Sequence, residues 1–361
     1  MSETGNHRFE TLHEIVKAAR QRLNQNIWDY LVGATETETT MRRNRQALDQ
    51  IALRPRVLRD VSKVDPSWSF MGKRLRIPVA VAPVGSLESF EAGGGASVAA
   101  GVEAFGGGMF LSSVTQPGLE ASAKAAPHAL KIFQLYVRGD AAFVDDFVHR
   151  AVAAGYDAFC ITVDTAHYSR RERDIAKRFV KTWRLANTGM DYQAALSWRD
   201  IERFKTKHKI PLILKGIATV EDTTIALDHG VEGIYVSNHG GRQLDHGRGA
   251  MEVFPEIAET VKGRAKLIVD GGFSRGTDII KAMAMGADLV AIGRLYCYGL
   301  AAAGAEGVRR VLELLEAEIT VSLGLLGVTG FGELDRSFVH PAAPVVPPHV
   351  HSAFPLMEEG Y

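Results

Sequence analysis

The stretch SNHGGRQLD, at positions 237–245, directly follows the apolar run GIYV at 233–236. His239 precedes Arg242 by three residues, and the two positions between them are glycines. A histidine can act as a base near neutral pH, whereas an arginine is a permanent cation. The stretch therefore predicts that the end of a strand brings a base and a fixed positive charge to one place.

Polar side chains also end several other short apolar runs. Because the carboxyl ends of parallel barrel strands meet at one rim, we expect these side chains to lie close together. A base, a lysine, a guanidinium and two carboxylates at one rim indicate a functional site rather than packing. The residues are Gln134, Tyr136, Thr162, Asp164, Lys215, His239, Arg242, Asp270, Gly271, Gly272, Gly293 and Arg294.

The elements that must position these residues are eight apolar runs that alternate with helical patterns. Near-continuous apolar runs are typical of parallel strands buried on both faces. The sequence therefore predicts a (β/α)8 barrel, and a doubly wound open sheet is the alternative. The predicted strands cover 77–83, 108–113, 130–136, 158–164, 211–216, 233–240, 266–272 and 289–294, and helical patterns cover 145–155, 220–230 and 276–286.

The whole chain, 1–361, is predicted to be one domain. We expect the barrel over about 77–325 and an N-terminal helical cap over 9–60, where residues 9–32 carry a helical apolar period. The segment 340–361 is rich in proline and histidine, so we expect an extended or disordered tail. Its histidines are irregularly spaced, which gives no support for a metal site.

Composition narrows the class of protein. The 361 residues are 46% hydrophobic and 23% charged, which is ordinary for a soluble globular protein. Lysine plus arginine and aspartate plus glutamate balance at 42 each, so nothing favours nucleic acid or an anionic membrane as a partner. Only Cys160 and Cys297 are present, and no run of 18 apolar residues occurs. We expect a cytoplasmic protein without a membrane span.

Two glycine-rich stretches, DGGFSRG (270–276) and IGR (292–294), suggest a phosphate site. Turns after the seventh and eighth barrel strands often hold phosphate through backbone N–H groups and a helix N-terminus. Arg275 or Arg294 would add positive charge. The stretch EAGGGASVAAG (91–101) lacks the third glycine of a dinucleotide fingerprint, and no Walker, HExxH or CxxC motif occurs.

These motifs, taken in order with FQLY, TVD and LKG, resemble the FMN-dependent α-hydroxy acid dehydrogenases and oxidases. The resemblance runs from about Trp28 to about Leu326, and SNHGGRQLD is its most specific part. It implies FMN as cofactor and oxidation of a small (S)-2-hydroxy acid to the 2-oxo acid. It also implies oxygen, a quinone or a carrier protein as electron acceptor, and a homo-oligomer, a tetramer or an octamer.

The resemblance assigns roles on the substrate side. His239 matches the catalytic base, and Asp164 matches the carboxylate that orients it and stabilises its charged form. Arg242, with Tyr30 and a second arginine, Arg171, matches the residues that bind the substrate carboxylate. Tyr136 matches the tyrosine beside the substrate hydroxyl.

The resemblance also assigns cofactor contacts. Lys215 matches the lysine beside flavin N1, where its charge stabilises the reduced ring. The segment Pro83, Val84 and Gly85 matches the part of the chain packed on the flavin. Ser112, Gln134, Thr162 and Ser237 match hydrogen-bonding positions, and Asp270, Gly271, Gly272, Gly293 and Arg294 match the ribityl and phosphate contacts.

Some positions depart from the family pattern. Ser274 stands where relatives often have arginine, so part of the phosphate contact would fall to Arg275 or to a hydroxyl. Gly85 stands where oxidases commonly have alanine, which favours a dehydrogenase that passes electrons to a quinone or carrier protein. The segment between Arg171 and Trp198 is short, where membrane-bound members carry an anchoring loop.

Two other functions are also compatible with the sequence. One is an FMN barrel enzyme that isomerises or reduces another class of substrate. The other is a flavin-binding protein that has lost its activity. The presence of both His239 and Arg242 speaks against the first, and the intact set of Asp164, Tyr136 and Lys215 speaks against the second.

Overall fold

Eight parallel strands close into a barrel in the computed structural model of the chain, which describes residues 8–178 and 189–360. The last barrel strand pairs with the first, so the sheet is not an open one and the predicted (β/α)8 barrel is confirmed. All but a few strand residues are buried, which explains why the strands read as apolar runs. The strands are β1 (Val79–Val81), β2 (Gly108–Ser112), β3 (Leu130–Leu135), β4 (Ala158–Thr162), β5 (Leu212–Ile217), β6 (Gly233–Val236), β7 (Lys266–Val269) and β8 (Leu289–Ile292).

Helices follow the strands around the outside of the barrel. The helix predicted over 145–155 begins four residues earlier, because the Asp140 side chain accepts a hydrogen bond from the Phe143 N–H and caps it. The outer helices are Gly94–Phe105, Leu119–Ala125, Ala141–Ala153, Trp198–Lys207, Val220–Asp228, Ala250–Val261, Gly276–Ala284 and Arg294–Leu326, with Glu172–Ala176 and Met190–Ala195 between β4 and β5.

Aliphatic and aromatic side chains fill the barrel interior. A hairpin of two short strands, Trp68–Phe70 and Lys73–Leu75, precedes β1 and was not predicted. Its Phe70 and Leu75 are buried in the same apolar cluster as inward-facing barrel residues such as Phe110 and Tyr235. The interior is therefore packed, and the open end of the barrel is the one at which the strands carry polar residues.

Three helices at the N-terminus, Leu12–Arg22, Gln25–Val32 and Thr39–Asp49, form the predicted cap. The helical pattern over 9–32 is divided between the first two, because Asn24 leaves the helical conformation and caps the second helix. Arg45 in the third helix donates to both oxygens of the buried Asp278 carboxylate, at 2.8 Å each. This pair fixes the cap to the helix that follows β7.

The C-terminal segment is extended, as predicted, but it is packed on the protein. Val339–Pro341 pairs antiparallel with Ile51–Leu53, and a short helical turn covers Pro355–Met357. The His351 ring stacks on Trp28 at 5.5 Å between centroids, and Phe354 is 1% exposed. The aromatic residues among the prolines supply the buried area that holds the segment in place.

Within the described residues, 8–178 and 189–360, no helix is both long and apolar enough to cross a membrane. The same residues contain no cluster of histidine, cysteine, aspartate or glutamate suited to a metal ion. The predicted short segment between Arg171 and Trp198 lies partly outside the described residues.

Candidate active site

His239 lies between a carboxylate and a phenol at the open end of the barrel. Its Nδ1 is 3.0 Å from Oδ1 of Asp164, just beyond β4, and its Nε2 is 3.2 Å from the hydroxyl of Tyr136, just beyond β3. Both ring nitrogens are thus contacted by side chains that follow two other strands. With Nδ1 donating to the carboxylate, Nε2 is the atom that can accept a proton.

The turn that carries His239 has an unusual backbone. His239, Gly240 and Gly241 all have positive φ angles, of 60°, 64° and 77°. A Cβ at position 241 would lie 2.5 Å from the Met41 backbone nitrogen, and one at 240 would lie 3.0 Å from Nη1 of Arg294. The two glycines therefore allow close contact with the cap and with Arg294, at the start of the helix after β8, whereas His239 holds a left-handed conformation that non-glycine residues rarely adopt.

Electrostatics keep the imidazole neutral and the carboxylate charged near neutral pH. Burial lowers the pKa of His239, and the Lys215 charge acts in the same direction, although Asp164 opposes both. Burial alone would raise the pKa of Asp164, but the attraction of His239 and Lys215 outweighs it and the pKa is lowered. Burial also raises the pKa of the Tyr136 phenol well above its usual value. Near neutral pH the site therefore contains a neutral imidazole, a carboxylate and a phenol.

Arg242 lies at the cavity wall, attached to the N-terminal cap. Its Nη1 donates to the carbonyl oxygens of Tyr30 at 2.7 Å and Gly33 at 3.0 Å, and its guanidinium carbon is 4.7 Å from the centroid of the Tyr30 ring. The Tyr30 hydroxyl donates to the Gly85 carbonyl at 2.9 Å. Arg171 stacks on Tyr168, with 4.9 Å from its guanidinium carbon to the ring centroid. Arg171, Arg242 and Tyr30 all line the same cavity as His239.

Lys215 is buried below this group. Its Nζ donates to Oγ of Ser237 at 2.9 Å and lies 3.7 Å from the Asp270 carboxylate. Ser237 in turn donates to Asp270 at 2.7 Å, and the Tyr235 hydroxyl donates to the same carboxylate at 3.0 Å. Strands β5, β6 and β7 thus place one cation and one anion together at the floor of the cavity.

The buried polar residues around this floor fit a flavin. Gln134 donates to Oγ1 of Thr162 at 2.8 Å, but its own buried Oε1 has no hydrogen-bond partner among the described residues. An unpaired buried acceptor is costly, so a ligand that donates there is expected. Ser112 is buried on the neighbouring strand, and its Oγ accepts from the Val114 N–H at 3.4 Å.

The predicted phosphate end has an open helix N-terminus. The helix Arg294–Leu326 starts after Gly293 without a side-chain cap, and a Cβ at Gly293 would meet nothing within 4 Å. Such a helix end attracts a phosphate. The chain thus offers both a ring-binding floor and a phosphate-binding end, which together fit FMN.

The arginines predicted at this end are placed differently from one another. Arg294 lines the cavity, but it donates to the backbone carbonyls of Leu31, Gly33 and Gly240. Arg275 does not line the cavity, because its guanidinium pairs with Glu318 at 2.7 Å. Ser274 does line it.

The cavity extends from the residues around His239 to the residues that follow β7 and β8. Of the predicted residues, six do not line it, namely Ser112, Gln134, Thr162, Asp164, Ser237 and Arg275. The others all line it, namely Tyr30, Pro83, Val84, Gly85, Tyr136, Arg171, Lys215, His239, Arg242, Asp270, Gly271, Gly272, Ser274, Gly293 and Arg294.

Sequence reasoning missed several lining residues. Asn44 and Arg45 come from the cap, Arg138 follows β3, and His349 and Val350 come from the C-terminal segment. The Asn44 amide exchanges hydrogen bonds with Asn238, at 2.8 and 2.7 Å. Arg138 carried a signal, since it comes two residues after Tyr136 at a strand end, but contacts from the distant cap and tail have no local pattern.

Comparison with known proteins identifies the family. The model of the FMN-dependent dehydrogenase family matches residues 19–341. The chain is 37% identical to an L-lactate oxidase of Nostoc sp. (strain PCC 7120 / SAG 25.82 / UTEX 2576), over 91% of this chain and 97% of that protein. It is 36% identical to glycolate oxidase 5 of Oryza sativa subsp. japonica, over 89% and 93%.

The fold is also shared with a solved structure. A mandelate oxidase variant with a C4a-OH-FMN adduct superimposes with a TM-score of 0.84 at 36% identity, over 92% of this chain and all of that one. The resemblance inferred from SNHGGRQLD and the strand-end motifs is therefore confirmed, and this chain belongs to the FMN-dependent dehydrogenase family.

Proposed function

We propose that the protein oxidises a small (S)-2-hydroxy acid to the corresponding 2-oxo acid with FMN as its cofactor. The observation that carries the proposal is the position of His239, whose Nε2 faces the same cavity as Arg242 and Arg171. A 2-hydroxy acid carries a carboxylate next to a carbon that bears a hydroxyl, so it needs a cation and a base side by side. The named relatives act on lactate and glycolate, which are acids of this class.

In this proposal each residue has a defined task. Arg242, Arg171 and Tyr30 bind the substrate carboxylate by charge-assisted hydrogen bonds. Nε2 of His239 removes the hydroxyl proton, and Asp164 stabilises the imidazolium that results. Tyr136, which stays protonated because burial raises its pKa, donates to the substrate oxygen.

The bound FMN supplies the two-electron acceptor that this reaction requires. Lys215 offers the nearby positive charge, Pro83, Val84 and Gly85 pack against the ring, and Gln134, Thr162, Ser112 and Ser237 supply hydrogen bonds. Asp270, Gly271 and Gly272 contact the ribityl chain, and Ser274, Gly293 and Arg294 lie at the phosphate. Arg275 acts there only indirectly, since its guanidinium is paired with Glu318.

We propose oxygen as the final electron acceptor, because the named relatives are oxidases. The expectation from Gly85 points instead to a dehydrogenase that serves a quinone or a carrier protein. Mixing substrate-reduced enzyme with air-saturated buffer distinguishes the two. Reoxidation as fast as turnover supports oxygen, and much slower reoxidation supports the other acceptors.

The remaining properties are proposals that rest on the sequence. The chain is proposed to be a single domain, which is supported by an apolar cluster that contains residues from Phe9 to Phe354. A cytoplasmic location is supported by Cys160 and Cys297, which are both buried free thiols. A homotetramer or octamer is supported by the family resemblance, and light scattering of the purified protein tests it.

The experiment that tests the function is an anaerobic flavin-reduction screen. Glycolate, lactate, mandelate and longer 2-hydroxy acids are mixed with the yellow protein, and loss of the flavin absorbance is followed. Bleaching by at least one (S)-2-hydroxy acid supports the proposal. If none of them bleaches the flavin, the alternatives of another substrate class or an inactive flavin protein are favoured.

A further inference from the structure

The phosphate end of the cavity is poorer in free cationic side chains than the family pattern suggests. Ser274 occupies a position where relatives often have arginine, and Arg275 is paired with Glu318. Arg45 lines the cavity, but its guanidinium is bound to Asp278 and Asp49. Arg294 also lines this end, but its nitrogens donate to the carbonyls of Leu31, Gly33 and Gly240. A phosphate that carries close to two negative charges would therefore gain from a further donor here.

The C-terminal segment lies at this end and is attached to both loops that form it. After β7, Nη1 of Arg275 donates to the carbonyl oxygen of Ala353 at 3.2 Å. After β8, the Tyr298 hydroxyl is 3.2 Å from Nε2 of His351, and Tyr298 lies one helical turn beyond Arg294. The segment that contains residues 349–353 thus joins the ends of the two strands predicted to hold phosphate.

The two histidines of the segment have different surroundings. Burial, together with the neighbouring groups His349 and Arg294, lowers the pKa of His351 to about 4. The His351 ring is therefore neutral, and its Nε2 accepts the hydrogen bond from Tyr298. His351 is held between Trp28 and Tyr298, at 5.5 and 6.0 Å between ring centroids, so its role is to fix the segment.

His349 is exposed and lines the cavity together with Val350. Its Nδ1 accepts a hydrogen bond from the His351 N–H at 3.2 Å. A ring with an accepting Nδ1 carries its proton on Nε2, so Nε2 is the nitrogen that can donate to a ligand in the cavity.

We propose that His349 completes the phosphate-binding part of the FMN site, taking over the contact that an arginine makes where relatives have one at position 274. This inference rests on the proposed function, because it assumes that FMN is bound with its phosphate at the ends of β7 and β8. The C-terminal segment is then part of the cofactor site, although the family match ends at residue 341.

Flavin affinity with and without the phosphate tests the proposal. The full-length chain is stripped of flavin, and dissociation constants for FMN and riboflavin are measured by quenching of flavin fluorescence. For His349→Ala we expect FMN binding to weaken about tenfold or more, since a hydrogen bond to a charged group is lost, and riboflavin binding to stay unchanged. His340→Ala, an exposed histidine of the same segment at the far side of Pro341, is the matched control and leaves both constants unchanged.

A rescue variant separates a phosphate contact from a general loosening. Adding Ser274→Arg to His349→Ala restores the charge from the β7 loop, so FMN affinity should recover while riboflavin affinity stays the same. The proposal is overturned if His349→Ala weakens FMN and riboflavin equally, or weakens neither. A parent chain that binds no FMN at all would instead refute the proposed function.

Discussion

The carboxylate of Asp164 and the imidazole of His239 are in hydrogen-bond contact, with 3.0 Å between Oδ1 and Nδ1. They are 75 residues apart in sequence, and the ends of β4 and β6 bring them together. Because Asp164 occupies Nδ1, the basic nitrogen of His239 is the one that faces Tyr136 and the cavity. The proposed chemistry depends on this orientation.

The pH dependence of kcat/KM reports on this pair. The base must be neutral, and burial lowers the pKa of His239 below its usual 6.5, so activity should rise with pH through an apparent pKa below 6.5. Asp164 raises the pKa of His239, so Asp164→Asn should move the acid limb to lower pH. It should also reduce turnover by about tenfold or more, since a charge that stabilises the imidazolium is removed. An acid limb that stayed in place or moved to higher pH would contradict the assignment.

Arg242 is predicted to bind the substrate carboxylate and to hold it in position. Arg242→Met should therefore raise KM and lower kcat together. Nη1 also joins the β6 turn to the carbonyls of Tyr30 and Gly33, so the variant should lose some thermal stability. Arg242→Lys is the matched control, because it keeps the charge but not the forked geometry, and we expect an intermediate effect on KM. Steady-state kinetics at saturating acceptor measure both constants, and a KM at the parent value in Arg242→Met would refute the role.

The reaction with oxygen is predicted to respond to Gly85. A Cβ at this position would lie 2.7 Å from Cγ2 of Val114, so Gly85→Ala requires Val114 to shift. Oxidases of the family commonly carry alanine here, so the variant should speed reoxidation by air. We expect the rate of reoxidation to rise by about fivefold, which corresponds to a barrier lower by about 1 kcal/mol. Gly85→Ala with Val114→Ala relieves the crowding and should keep the faster reoxidation. Stopped-flow mixing with air-saturated buffer measures the rate of reoxidation. An unchanged rate in both variants would contradict the proposed effect of residue 85 on the reaction with oxygen.

The barrel and its strand-end residues could be predicted because both depend on local patterns. Buried parallel strands are apolar along their length, and the polar residue that follows each strand must lie at the shared rim. The sequence alone could therefore place His239, Asp164 and Lys215 in one site. The orientation of His239 could not, because it depends on a positive φ angle and on contacts with two other strands.

Contacts between distant parts of the chain were not predictable from the sequence. Arg275 looked like a phosphate ligand, but Glu318, on the last barrel helix, binds its guanidinium. The C-terminal segment looked loose because of its prolines, yet its His351 packs on Trp28 and Tyr298. In both cases a partner far away in sequence determines where the side chain lies.

The ion pair between Arg45 and Asp278 is predicted to stabilise the whole fold. Both side chains are almost completely buried, and each nitrogen–oxygen contact is 2.8 Å. Arg45→Met leaves the Asp278 carboxylate buried without its partner, so unfolding free energy should fall by about 3–5 kcal/mol. Arg74→Met breaks the exposed pair with Asp65 and serves as control, with an expected loss of at most about 1 kcal/mol. Denaturant unfolding of both variants measures the difference, and equal losses would contradict the prediction.

The central claim is that His239 is the base that starts oxidation of a 2-hydroxy acid. The most direct measurement is the rate of anaerobic flavin reduction by the best such substrate, in the parent protein and in His239→Gln. Both proteins should bind FMN to the same extent, because His239 is not one of the residues assigned to hold the cofactor. We predict that reduction in His239→Gln is slower by about 10²–10⁴-fold, the usual contribution of a general base. Reduction at the parent rate in the FMN-loaded variant would contradict the claim.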